Sequence, residues 1–174
     1  MIPAALIGIL AISRLGAIHA VVFGGFAPAS LAQRVEASKP VAILTASCGI
    51  DGSKPPMSYR PFIREAIELS SHKPAKTIIW QRDVLRWDDV SKENGERNWQ
   101  RLVKSAASRG VKAECVPVKA TDPIYIIYTS GMNTRILLVF SYSWGYFVKA
   151  NILDNGDHLL MPGFKARRDY PKVF

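Results

Sequence analysis

Three short apolar runs constrain this chain most: Val41-Ala42-Ile43-Leu44-Thr45, Thr77-Ile78-Ile79-Trp80 and Ile124-Tyr125-Ile126-Ile127-Tyr128. None alternates apolar with charged residues, so neither face of such a run is suited to water. A strand of this kind is covered on both faces, as in a parallel sheet. The segments between them carry the helical period instead. Pro61–Ser71 sets Phe62, Ile63, Ala66, Ile67 and Leu69 on one face and Arg64, Glu65 and Glu68 on the other. Pro28–Glu36 opens on a proline and is broken by Ser38-Lys39-Pro40, and Trp99–Ser108 stops before Gly110. Strands alternating with helices predict an α/β chain with a partial, largely parallel sheet and flanking helices.

The amino-terminal stretch is apolar, yet Arg14 interrupts it and no basic region precedes it, unlike a signal peptide. The run Ile2–Ile12 falls far short of the roughly 20 residues that span a bilayer. Pro3–Leu15 therefore reads as a buried helix ending at Gly16, followed by a strand over Ala17–Phe23 that closes on Gly24-Gly25. Residues 81–100 read as a polar surface excursion, and Glu114–Val118 as a weak strand.

With 174 residues, 48% hydrophobic and 21% charged, the composition is that of one ordinary globular domain. This excludes a disordered or multi-span membrane chain. The net charge of +9 favours an anionic partner, but the positives are dispersed: 17 basic against 11 acidic residues up to Gly131, and 6 against 3 beyond it. The tightest cluster is Lys165, Arg167 and Arg168, too little for a nucleic-acid arm. Cys48 and Cys115 have no metal or disulfide spacing and read as small buried hydrophobes in a reducing compartment. His19, His72 and His158 stand alone, with no second ligand-type residue at helical spacing.

Three segments carry potential chemistry, each with a plainer alternative. Thr129-Ser130-Gly131 follows a buried strand, where hydroxyls, a glycine and free N–H groups suit a phosphate; it is also an ordinary loop. Phe23-Gly24-Gly25-Phe26 is a tight turn with core aromatics, or a slot in which bare backbone admits a ligand against Phe23. Asp51-Gly52-Ser53-Lys54 is a surface turn, or a loop that offers the Lys54 ammonium to a phosphate.

Taken in order, Ile2-Pro3, Arg14-Leu15-Gly16-Ala17-Ile18-His19-Ala20-Val21-Val22-Phe23-Gly24-Gly25-Phe26 and Asp122-Pro123-Ile124-Tyr125-Ile126-Ile127-Tyr128-Thr129-Ser130-Gly131 carry a resemblance. Residues 1–131 resemble the amino-terminal AMP-binding domain of AMP-forming acetyl-/propionyl-CoA synthetases, in the adenylate-forming superfamily. Leu44–Asp51 and His72-Lys73-Pro74 are more similar to the propionyl-type branch. The resemblance implies a short-chain acid–CoA ligase that uses ATP, Mg²⁺ and CoA, in the cytoplasm or mitochondrial matrix, without membrane or nucleic-acid partners. It implies that Thr129, Ser130 and Gly131 begin the loop over the ATP phosphates, and that Phe23, Gly24 and Gly25 line the CoA site. Where acetyl-type relatives offer arginines to CoA phosphates this chain has Asp51 and Lys54. Only Lys54 can serve there, as a point charge. The resemblance names no catalytic residue or metal ligand in this chain.

The family pattern then breaks. Thr134, Ile136 and Leu137 stand where the family has a glycine, a proline and a lysine, and Ile136–Phe140 reads as a strand or an aggregation-prone run. Residues 132–174 form an unmatched tail by this reading, and a truncated or misread gene product, inactive alone, is the expectation. The alternative is a non-catalytic CoA- or nucleotide-binding module.

Overall fold

The computed structural model describes residues 2–130, 136–142 and 147–151, with side chains as far as Tyr128. Helix α1 (Pro3–Arg14) starts on a proline, whose missing N–H has no intrahelical partner at that position anyway. It ends at Gly16, which takes a left-handed φ of 65°. Among its residues only Ala4, Gly8 and Ile12 are buried. Leu6, Ile7 and Leu10 lie in solvent, so the expected buried helix is covered on one side only.

Strand β1 (His19–Ala20) holds two of the seven residues expected of it. It pairs in parallel with β7 (Pro123–Ser130) through His19↔Tyr125 and Ala20↔Ile126. Beyond Ala20 the chain leaves the sheet for the Gly24-Gly25 turn, and Val21 and Phe23 are exposed. Helix α2 (Pro28–Ser38) stops where Lys39 adopts a left-handed φ of 46°.

Next come β2 (Ala42–Ala46), the two-residue strands β3 (Cys48–Gly49) and β4 (Met57–Ser58), α3 (Arg60–Leu69) and β5 (Lys76–Trp80). Strand β6 (Glu96–Asn98) leads directly into α4 (Trp99–Ser108), where the Asn98 side chain caps the helix by accepting the Arg101 N–H at 2.9 Å. After β7 come β8 (Ile136–Tyr142) and β9 (Phe147–Asn151).

The sheet β2-β5-β6 is parallel throughout. In the sheet β1-β7-β8-β9 only the β1/β7 pair is parallel, and β8 and β9 run antiparallel. The α/β class therefore holds, and β7 is central, as its apolar sequence demanded. The Ile136–Phe140 run is indeed strand, paired with β7 from Ser130↔Ile136 onward. Strands β3 and β4 form a separate antiparallel hairpin.

Two apolar cores flank α2. Ile18 and Ile126 form one, with Ala20, Ala37 and Tyr128 against it. Ile63, Ile79 and Trp87 form the other, with Leu31, Ile43, Tyr59 and Ile67 among its neighbours. Helix α2 therefore touches both, through Ala37 and Leu31.

The excursion after β5 is more than surface. Trp87 is buried and donates its indole N–H to the Ser47 carbonyl at 2.6 Å. The Gln81 amide exchanges two 2.9 Å bonds with the Trp87 backbone. Fully buried Ser47 accepts the Arg82 N–H at 2.9 Å and donates to the Leu85 carbonyl at 2.6 Å. The buried polar groups of Trp87, Gln81 and Ser47 are paired with one another and with the Arg82 and Leu85 backbone, which is what lets a polar sequence bury a tryptophan.

Strand β6 has no signature in the sequence, because Glu96-Arg97-Asn98 carries no apolar signal. Its Glu96 is buried and held by Arg60 at 2.8 Å and Arg64 at 3.1 Å, both on α3. Glu114–Val118 is not a strand. The Val116 N–H bonds the Arg14 carbonyl at 2.9 Å, and Val116 and Val118 fill the space Gly16 leaves bare. Cys48 is buried as expected, whereas Cys115 is exposed because its segment has no sheet to enter.

Candidate functional site

The Gly24-Gly25 turn lies against a tyrosine. A β-carbon on Gly24 would stand 2.7 Å from Cζ and 3.2 Å from Cε2 of Tyr59. A β-carbon on Gly49 would stand 2.8 Å from the same Cζ and 2.9 Å from Cε1. The phenol thus sits between two glycines, one at each edge of its ring. Tyr59 immediately precedes α3, and Gly49 ends β3. Through this ring the turn meets the β3–β4 hairpin, whose loop carries Asp51 and Lys54.

Lys54 and Asp51 pair at 2.7 Å, both largely in solvent. Lys54 is therefore a surface cation already engaged by a carboxylate, and a phosphate must compete with Asp51 for it. Phe23 is 72% exposed, its ring folded back over Gly25 with Cζ 3.1 Å from where a β-carbon would be. It meets Phe26 edge-on, with ring centres 5.8 Å apart. The four residues expected at the CoA site, Phe23, Gly24, Gly25 and Lys54, thus lie on two segments joined by Tyr59.

The other side of the turn is held by α2. The Arg34 guanidinium lies 4.2 Å from the centre of Phe26 and 5.2 Å from that of Tyr128. Burial pushes the Tyr128 phenol above its ordinary pKa, against the lowering influence of Ser38 and Arg34. Thr129 and Ser130 end β7 next to it. Gly131, expected to follow them on the ATP phosphates, lies outside the described residues, as do the Thr129 and Ser130 side chains.

An open cleft of about 340 Å³ runs along β1 and β7, lined by His19, Val21 and Tyr125 to Tyr128. It borders the two strands that deliver the glycine turn and Thr129. His19 stacks on Tyr125 at 5.9 Å, and its buried Nδ1 has no hydrogen-bond partner among the described residues. Burial lowers the His19 pKa, so the ring favours its neutral form. Among the described residues no three His, Cys, Asp or Glu side chains gather to hold a metal ion.

A sequence model of the family described as AMP-binding enzyme matches residues 1–132. The chain belongs to this AMP-binding enzyme family. An uncharacterized protein of Pseudomonas aeruginosa is 35% identical over 170 residues, covering 98% of this chain and 24% of that protein. The mitochondrial acyl-CoA synthetase short-chain family member B of Dictyostelium discoideum is 41% identical over 155 residues, 87% of this chain and 22% of the relative. The chain thus spans under a quarter of the length of these curated relatives. The alignment with the Pseudomonas protein also continues past residue 132. A solved acyl-CoA synthetase from Brucella canis shares the fold, with a TM-score of 0.58 at 20% identity over 80% of this chain and 21% of that one.

Within this family member, sequence reasoning missed Tyr59 and Arg34. Neither carries a periodic signal: Arg34 looks like the half-exposed Arg64 of α3, and Tyr59 looks like a residue preceding a helix. Only the fold brings them to the glycine turn.

Proposed function

We propose that this chain is the CoA-facing and ATP-facing part of a short-chain acid–CoA ligase, acting on propionate or acetate. Its AMP-binding family membership and the acyl-CoA synthetase relatives support the reaction class. One observation carries the site assignment: Tyr59 packs against both Gly24 and Gly49, so the bare turn and the loop of Lys54 border one surface.

In the proposed reaction the substrate carboxylate attacks the α-phosphorus of ATP and pyrophosphate leaves, giving an acyl-adenylate. The CoA thiol then adds to the acyl carbonyl and AMP leaves. Phe23, Gly24 and Gly25 would admit the CoA chain against backbone, and Lys54 would meet a CoA phosphate. Thr129, Ser130 and Gly131 would take the ATP phosphates by hydroxyl and N–H donors.

The chain turns over no substrate by itself in this reading. Leu137 cannot neutralise a phosphate, and β8 occupies the sequence position of a flexible loop. We further assign residues 1–131 to the AMP-binding unit and 132–174 to a divergent tail.

Pyrophosphate exchange into ATP, with propionate or acetate present, tests turnover, and calorimetric titration with CoA tests the site. Silence in the first with saturable heat in the second is expected. Exchange above background by the pure chain overturns the inactivity, and absence of CoA binding overturns the site.

A further inference from the structure

We propose that Arg34 is a positioning residue that fixes the Gly24-Gly25 turn relative to the strand delivering Thr129 and Ser130. The significance of this role rests on the ligand assignments proposed above, but the geometry stands apart from them. Arg34 is half-buried and has no carboxylate partner among the described residues. Its guanidinium faces two aromatic rings instead, Phe26 at 4.2 Å on the turn side and Tyr128 at 5.2 Å on β7.

The surrounding bonds leave it little freedom. Arg34 Nη1 donates to the Ser30 carbonyl at 2.7 Å, which turns the side chain back along α2. The Arg34 carbonyl accepts the Ser38 hydroxyl at 2.7 Å and the Tyr128 hydroxyl at 3.2 Å. One ring therefore holds the Arg34 backbone while flanking its guanidinium, and the other ring belongs to the turn. A flat cation in contact with two rings couples their positions, which a flexible ammonium does less well.

The turn has weak support of its own. Its backbone bond, Phe26 N–H to the Phe23 carbonyl, is long at 3.3 Å, and Phe23 faces solvent. Tyr59 packs under Gly24, and Arg34 links Phe26 to Tyr128 of β7. Without it, the turn can drift while both apolar cores stay intact.

The test is amide hydrogen exchange on the 174-residue chain, comparing wild type, Arg34→Met, Arg34→Lys and the control Ala32→Gly. Arg34→Met keeps the apolar stem, Arg34→Lys keeps the charge, and Ala32→Gly weakens α2 while leaving the Arg34 guanidinium in place. The expected result is Phe26 exchange about fivefold faster in Arg34→Met, with Arg34→Lys failing to restore it. The Ser70 amide at the end of α3 stays unchanged, and Ala32→Gly leaves the Phe26-to-Ser70 ratio at its wild-type value. An unchanged Phe26 rate in Arg34→Met, or an equal rise at Ser70, overturns the role.

CoA titration of the same proteins separates the two proposals. CoA affinity about fivefold lower in Arg34→Met supports both. A shifted exchange ratio in a chain that binds no CoA sustains the positioning and removes the CoA assignment. Wild-type CoA affinity in Arg34→Met beside a shifted exchange ratio sustains the positioning and removes the turn from the CoA site.

Discussion

Substituting Gly24 by alanine tests the contact that builds the candidate site. The new methyl would stand 2.7 Å from Tyr59 Cζ, against an ordinary carbon–carbon contact of about 3.5 to 4 Å. The ring must therefore move by roughly 1 Å. Sideways escape is narrow, because Gly49 lies at the opposite edge, where a β-carbon of its own would stand 2.8 Å from Cζ and 2.9 Å from Cε1. Tyr59 also packs on the core of Ile63, Ile79 and Trp87, so displacement is felt there. Overpacking of this kind costs about 1–3 kcal/mol. If Tyr59 is the obstacle, Gly24→Ala should be nearly neutral in a Tyr59→Leu background, which removes the phenol and keeps an apolar side chain. Urea unfolding of the four proteins in the cycle measures this, with a coupling of about 1–3 kcal/mol expected. Additivity within about 0.5 kcal/mol refutes the account of the turn.

Three further outcomes follow from the same structure. The Glu36 carboxylate accepts the Ser71 hydroxyl, the His72 N–H, the Ser70 hydroxyl and the Ser71 N–H, which together hold its pKa down to about 2 from 4.5. A depressed acid stabilises the fold fully above its unfolded pKa, so thermal stability should fall as pH drops from 4.5 towards 2, and Glu36→Gln should flatten that fall; parallel pH profiles of the two proteins would contradict it. Glu96→Ala leaves Arg60 and Arg64 without their carboxylate and should cost about 3 kcal/mol in urea unfolding, the low end for a broken buried pair because Arg64 is half exposed. Asp51→Asn should release the Lys54 ammonium and tighten CoA about twofold to fivefold by calorimetry, the exposed pair being weak, while Lys54→Ala should loosen it.

The sequence was most informative where apolar residues run together or recur with the helical period. The runs in β2, β5 and β7 and the periodic face of α3 could be read directly as strands and a helix, although β7 is not covered on both faces: Ile126 is buried whereas Ile127 is 39% exposed. It was least informative where polar groups are buried by mutual hydrogen bonding. Glu96, Ser47 and Gln81 look like surface residues until Arg60, Trp87 and Leu85 are placed beside them. Strand β1 was overestimated for the reverse reason: Val21 and Phe23 have strand-like side chains, but only His19 and Ala20 pair with β7. At the candidate site Gly24-Gly25 was legible as bare backbone. The cause of its bareness, a phenol from a residue 35 positions later, was not, since close approach between distant segments leaves no local pattern.

The Lys54–Asp51 pair illustrates how the structure altered one assignment without moving it. Lys54 sits on the expected loop, yet it is paired with Asp51, so any phosphate contact there is a competition. Asp51 would therefore oppose a phosphate at Lys54.

The most direct test of the account is calorimetric titration of CoA into the 174-residue chain beside its Lys54→Ala variant. The account predicts one saturable site per chain, weakened in the variant. No saturable heat in the wild type, or equal binding by both proteins, contradicts the assignment of CoA to the Gly24-Gly25 turn and the Lys54 loop.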